Sequence, residues 1–205
     1  MNNYFVSGIG TNVGKTIFSA ILTEALSADY WKPIQSGTIE GTDKESVRSL
    51  VSNTISVFHP EAYLLKEPAS PHLAAKLEDV KIEKRNIQLP YTSNKMIIEG
   101  AGGLLVPINE KEYVIELAQQ FNASVILVVS SYLGCINHSL LSIDYLLNHN
   151  YKIHGLILNG DFQEDVKSAI INYKNIPVLA EIPFSKSANK EFISEQASKF
   201  NIYLF

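Results

Sequence analysis

One cysteine, Cys135, stands alone among 205 residues, so the chain cannot form an internal disulfide and reads as a protein of a reducing compartment, expected in the cytoplasm. The five histidines are too dispersed for a zinc spacing, so any metal is expected to be Mg²⁺ on oxygen ligands. Basic residues form no run or stripe and the net charge is −4, which argues against a nucleic-acid partner. No apolar run approaches the roughly 18 residues of a membrane span, and Met1-Asn2-Asn3-Tyr4 lacks the charged-then-apolar order of an export signal, so no membrane partner is expected. There is no internal repeat, low-complexity tract or Pro/Ser-rich linker. With 46% hydrophobic residues the chain can bury one substantial core, and residues 1–205 are expected to form a single domain.

What is present is alternation. Apolar strand signals recur near 3–7, 29–34, 95–99, 124–130, 153–159 and 177–181, and helical periodicity near 16–27, 43–52, 71–78, 112–121, 137–149 and 164–173. Val125-Ile126-Leu127-Val128-Val129 is continuously apolar, as a strand covered on both faces requires. The expected architecture is α/β: a doubly wound, mainly parallel sheet in a three-layer α/β/α sandwich. The stretch 54–92 is less regular, carries Pro60, Pro68, Pro71 and Pro90, and reads as an insertion beside the site.

The strongest local signal is Gly8-Ile9-Gly10-Thr11-Asn12-Val13-Gly14-Lys15-Thr16, placed between a strand and a helix as a nucleoside-triphosphate phosphate loop must be. Its glycines let backbone N–H groups approach phosphate, the helix N-terminus adds partial positive charge, Lys15 neutralises the β and γ phosphates, and the Thr16 hydroxyl suits Mg²⁺. With Gly14-Lys15-Thr16 fixed, the usual first glycine would fall at Ile9, so this loop is one residue longer than standard. ATP or GTP is the implied ligand.

In open α/β sheets ligands bind beyond the carboxyl ends of the strands, so the residues just after each strand signal matter most. Lys32-Pro33-Ile34-Gln35-Ser36-Gly37 sends a lysine toward the phosphate-loop edge, where it could stabilise a transferring phosphoryl group or remain an ordinary surface lysine. Glu99-Gly100-Ala101-Gly102-Gly103 puts a carboxylate at a strand tip, resembling a Walker B acid, with a tight turn and a solvated glutamate as the plain alternative. Asp43 opens a helical pattern, and either it or Thr42 would suit the N-cap. Gly134 precedes a helix whose N-terminus could receive a carboxylate, while Cys135 reads as a packed apolar group and His138 as structural. Asn159-Gly160 could read a base edge or simply turn the chain.

Taken together, GIGTNVGKT (8–16), KPIQSG (32–37), EPASPH (67–72), EGAGGLLVP (99–107) and LGCINH (133–138) resemble the dethiobiotin synthetases, ATP-dependent enzymes that close the ureido ring in biotin synthesis. The longer phosphate loop is itself a feature of that family. The resemblance implies a P-loop NTPase-like ligase that uses ATP, Mg²⁺, CO₂ or bicarbonate and 7,8-diaminononanoate. It implies that Lys15 and Lys32 are catalytic, with Thr16, Asp43 and Glu99 around Mg²⁺. Asn12, Val13, Gly14, Lys15, Thr16 and Ile17, with Glu99, Gly100, Ala101 and Gly102, would line the nucleotide. Asn159, Gly160, Pro183, Phe184 and Ser185 would meet the base. Thr11 and Ser36 would contact the diamine, and Leu133, Gly134, Cys135 and Asn137 would hold its carboxylate tail across a homodimer interface. Asn12, Gly160 and Phe184-Ser185 depart from the residues some relatives carry.

Two other readings are open to a phosphate loop on this fold. Partner-regulated ATPases of the partition and septum-site type carry a signature lysine four residues before the glycine of Gly-Lys-Thr, and that position here is Gly10. Amide-forming P-loop enzymes of the kind found in cobalamin synthesis also have EGAGG-like loops, but with an additional domain for which 205 residues leave no room.

Overall fold

The structure is a computed structural model that describes residues 3–39, 41–185 and 187–205. Strands β1 (Asn3–Gly8), β2 (Asp29–Trp31), β3 (Ile34–Ser36), β4 (Tyr63–Leu65), β5 (Met96–Gly103), β6 (Ser124–Ser130), β7 (Ile153–Asn159) and β8 (Val178–Ile182) interleave with seven α-helices among the described residues. These helices are α1 (Lys15–Leu26), α2 (Asp43–Leu50), α3 (Pro71–Leu77), α4 (Glu116–Gln120), α5 (Cys135–Asn148), α6 (Glu164–Ile171) and α7 (Lys190–Ser198). The main sheet runs β2-β5-β1-β6-β7-β8, every neighbouring pair parallel, and β3 and β4 form a separate parallel pair.

Successive side chains of a strand point to opposite faces, and the buried residues divide accordingly. Phe5, Ile98, Val125, Leu127, Val129, Leu156 and Leu158 pack with Ala74, Leu117, Ile143, Leu146 and Ile170, from α3 to α6. Tyr4, Val6, Ile97, Ile126, Val128 and Ile157 pack on the other face with Phe18, Ile21, Leu22, Val47, Ile193 and Ala197, from α1, α2 and α7. The three-layer doubly wound expectation therefore holds. The central strand β1 lies between β5 and β6, so the phosphate loop that follows it opens between their carboxyl ends.

Two expectations need correction. The single strand read at 29–34 is divided: β2 leaves the main sheet at Trp31, and Ile34 to Ser36 pair instead with Tyr63 to Leu65. Lys32-Pro33 makes the break, since proline has no N–H for the ladder, and the Pro33 carbonyl accepts from Ala62 and Tyr63 N–H at 2.8 and 3.0 Å. The 54–92 stretch is woven into the fold rather than appended. It supplies β4 and α3, and it buries Leu65, Ala74, Ala75, Ile82 and Ile87 in the larger core. No described helix is long and apolar enough to cross a membrane.

Candidate functional site

The phosphate loop fills residues 9–14 between β1 and α1. Gly14 sits at φ +95° as the residue preceding α1, a conformation that an L side chain adopts only at a cost. Gly8 is held by proximity instead, since a Cβ there would lie 2.4 Å from Val13 Cγ2. The first N–H groups of α1 remain available beyond the loop, where an anion is favoured. Lys15 is almost wholly buried, and its Nζ folds back to donate to Gly10 O at 3.2 Å. Burial disfavours the ammonium and moves the Lys15 pKa down, with Glu99 opposing the shift and Lys32 adding to it.

Beside the loop, residues far apart in sequence form one charged cluster. Lys32 leaves the end of β2, donates to Glu99 Oε1 at 3.4 Å, and makes a short hydrogen bond to Asp43 Oδ2. It is 7% exposed, so the surface-lysine alternative is excluded. Burial pulls the Lys32 pKa down, but Glu99 and Asp43 overcome that and leave it raised above the ordinary value. Burial likewise pushes Asp43 up, and the Lys32 ammonium and the Thr16 hydroxyl more than offset it, so its carboxyl titrates below the usual range.

Glu99 is 1% exposed and lies within β5, opposite Val6 of β1, so it is neither at the strand tip nor solvated in a turn. The ladder runs past it because the following glycines still pair, Gly103 with Gly8. Asp43 is freed by its neighbour: the Thr42 side chain accepts from Glu45 N–H at 3.1 Å and Glu45 Oε2 accepts from Thr42 N–H at 2.8 Å. That capping box makes Thr42 the N-cap of α2 and leaves the Asp43 side chain free for the cluster. Gln35 adds a second constraint that its sequence position did not signal, accepting the Asp43 backbone N–H at 3.1 Å.

Thr16 joins the two acids. Its Oγ1 lies 2.9 Å from Asp43 Oδ1 and 2.9 Å from Glu99 Oε1. A hydroxyl has one proton and can satisfy only one of these acceptors. Three hard oxygen donors converging beside the Lys32 ammonium are suited to Mg²⁺, which takes carboxylate and hydroxyl oxygens and keeps waters in its remaining positions.

A cleft of 760 Å³ extends from the loop across the ends of β6 and β7, lined by Gly10, Thr11, Asn12, Ser130, Asn159, Gly160 and Phe184 among others. Asn159 Nδ2 donates to Val13 O at 2.9 Å, joining the end of β7 to the phosphate loop. Gly160 N–H donates to Ile182 O at 2.8 Å, which brings the segment after β8, Pro183 to Ser185, to the same rim. Gly102, at φ +67°, carries the 99–103 run close to Thr11, whose Oγ1 would stand 3.5 Å from a Cβ there. Val13 is buried and Ile17 packs on the α1 face of the core, so only their backbones are available to a ligand.

The remaining sequence-selected residues divide. Ser36 Oγ is buried with no hydrogen-bond partner among the described residues. Leu133 projects fully into solvent and Asn137 is exposed, while Gly134 holds φ +103° before α5. None of the three lines the cleft. Cys135 packs into the core, and its N–H donates to Tyr132 O at 3.0 Å. His138, read as structural, is exposed at the cleft, with Nδ1 2.7 Å from Tyr132 OH.

A protein of the AAA-domain family is indicated by a profile match over residues 2–191. The ATP-dependent dethiobiotin synthetase BioD of Cytophaga hutchinsonii is 46% identical over 200 residues, covering 97% of each chain. The chain belongs to the dethiobiotin synthetase family. The family enzyme of Christiangramia forsetii is 44% identical across 97% of this chain and 95% of its own. Among solved structures, the septum site-determining protein MinD of Pyrococcus horikoshii, complexed with Mg-ADP, superposes with a TM-score of 0.60 at 15% identity over 98% of this chain and 96% of its own. A ParA family ATPase from Chlorobium tepidum gives 0.58 at 14% over 97% and 99%. At those identities the likeness is one of fold: the chain has the P-loop NTPase-like scaffold of parallel sheet and flanking helices that these ATPases share.

Proposed function

We propose that the chain catalyses ATP-dependent closure of the ureido ring of dethiobiotin from 7,8-diaminononanoate and CO₂, as a cytoplasmic homodimer. The observation that carries this reading is Lys32, a buried cation held by Asp43 and Glu99 beside the phosphate loop, in a chain of this family. One amine of the substrate attacks CO₂ and loses a proton, forming a carbamate. A carbamate oxygen attacks the γ-phosphorus of ATP and ADP leaves, giving a carbamic-phosphoric anhydride. The second amine then attacks the carbonyl carbon, the C–O bond to phosphate breaks, the amine proton passes to the departing phosphate, and dethiobiotin and inorganic phosphate are released.

Each step concentrates anionic charge and needs no strong protein base, which suits a site built from lysines and oriented N–H groups. Lys15 exchanges its weak bond to Gly10 O for phosphate oxygens, and Lys32 faces the carbamate and the transferring phosphoryl group. Thr16, Asp43 and Glu99 would hold Mg²⁺, which would supply charge neutralisation to the phosphates. The unpartnered Ser36 Oγ suits a substrate amine or carbamate, with Thr11 across the cleft. Asn159, Gly160 and the 183–185 segment suit the base. The exposed Leu133, Gly134 and Asn137 suit a diamine carried mainly by a second copy, with its carboxylate at the start of α5.

The test is ADP release by the purified chain with ATP, Mg²⁺ and bicarbonate. It is expected to be slow until diaminononanoate is added, and then to match dethiobiotin formation. Rapid hydrolysis that ignores the diamine and responds to DNA or a membrane would overturn the reading.

A further inference from the structure

Tyr30 has no part in the cluster as the sequence presents it, yet it is fully buried and its hydroxyl donates to Glu99 Oε2 at 2.9 Å. Glu99 thus has two differently engaged oxygens. Oε1 faces Thr16 and Lys32, while Oε2 is directed into the fold and held by the phenol. The last torsion of a glutamate side chain is broad and nearly two-fold, so a carboxylate in an open site can rotate and exchange its oxygens. Here the backbone resists that freedom. Tyr30 is paired in register with Ile97 in β5, two residues before Glu99, and on its other side it bridges Phe58, whose ring centroid is 6.2 Å away.

From this geometry we propose that Tyr30 is a positioning residue for the metal-nucleotide site, anchoring Oε2 of Glu99 so that Oε1 alone is presented beside Thr16 and Lys32. This rests on the Mg²⁺ role of Glu99 given above. The Tyr30 hydroxyl is fully buried and its proton is directed to Oε2, so that oxygen is engaged on the side away from Thr16 and Lys32. A carboxylate anchored through one oxygen offers one ligand in a fixed direction, and partners of this kind commonly set metal affinity by about 10–100-fold.

The probe is Mn²⁺ in the presence of ADP, with free Mn²⁺ read by electron paramagnetic resonance for the unaltered chain, Tyr30→Phe, Glu99→Gln and the double variant. Tyr30→Phe is expected to weaken Mn²⁺ binding about tenfold or more and to raise the Mg²⁺ needed for half-maximal turnover, with the KM for diaminononanoate unchanged. In the Glu99→Gln background the same substitution should cost nothing further, because the phenol acts through that carboxylate. Unchanged Mn²⁺ affinity in a folded Tyr30→Phe chain, even with a lower Tm, overturns the inference alone; an unaltered chain that takes up no Mn²⁺ with ADP overturns the metal reading and the inference together. Should Tyr30→Phe fail to fold, 3-fluorotyrosine placed at position 30 preserves the bond. Its fluorine resonance should then move when Mg²⁺ and ADP are added, and a resonance that stays fixed contradicts the inference.

Discussion

The amide of Asn159 occupies the space beside Gly14: a Cβ on Gly14 would lie 2.1 Å from Asn159 Nδ2. The end of β7 and the N-terminus of α1 are therefore built against each other, with the amide donating to Val13 O. Gly14→Ala imposes both this clash and an L side chain at φ +95°, a backbone penalty of about 1–2 kcal/mol. Calorimetry should show ADP affinity largely lost in Gly14→Ala. Asn159→Ala removes the tether without the clash and should weaken ADP binding less. Equal, unweakened binding in both would contradict the role given to this junction.

Lys32→Ala should lower kcat by about 10²–10³-fold or more, the scale set by removal of one preorganised charge-stabilising donor. The structure adds an effect on stability. Asp43 and Glu99 lose their shared cation, and a buried carboxylate left without its partner costs about 3–5 kcal/mol. Asp43 is partly open to solvent, so the measured loss should fall below that range. Denaturant unfolding should show the loss in the free chain and recovery of part of it with Mg²⁺ and ADP. Near-normal turnover would contradict the assignment.

Acid sensitivity follows from Asp29 and Asp43. Burial would raise Asp29, but hydrogen bonds from Asn94, Thr92, Val57 N–H and His59 overcome it and leave its pKa lowered. Both groups have folded values below the ordinary 3.8, so their contributions are complete above that pH and are lost as pH falls through the lowered values. Lys32 has the opposite sign: its raised pKa gives stability that is complete below the ordinary 10.5 and lost as pH rises above it. Lys15, whose pKa is lowered, opposes Lys32 on the alkaline side, so the acid limb of the urea midpoints should be the clearer of the two. Asp29→Asn should make the acid limb shallower and leave the alkaline limb unchanged.

Thr42→Ala removes the N-cap of α2, at a cost of about 1 kcal/mol. Because that cap also leaves Asp43 free for the cluster, the variant should raise the Mg²⁺ concentration needed for half-maximal turnover. A loss of stability with an unchanged Mg²⁺ requirement would separate the cap from the site.

The β/α order was readable because continuous apolar runs such as Val125 to Val129 need helices on both faces, and the phosphate loop because its chemistry depends on local spacing. Elements with little buried surface were not. In α7 only Ile193, Gln196 and Ala197 are buried, and β4 is three residues long and paired with β3 from outside the main sheet. Within the site, position alone left Lys32 open to a surface role and Asp43 to helix capping, and only the family resemblance grouped them with Glu99 and Thr16. Tyr30 and Gln35 carried no such mark. An aromatic residue in one strand and a glutamine in another look ordinary until the fold brings them to Glu99 and to the Asp43 backbone.

The central claim is that this site joins CO₂ to a diamine at the expense of ATP. Incubation with ¹³C-bicarbonate, ATP, Mg²⁺ and diaminononanoate, followed by carbon NMR and nucleotide analysis, tests it most directly. The account predicts label in the ureido carbonyl of dethiobiotin, with one ADP and one phosphate formed per labelled product. ADP accumulating without labelled ureido carbon would contradict it.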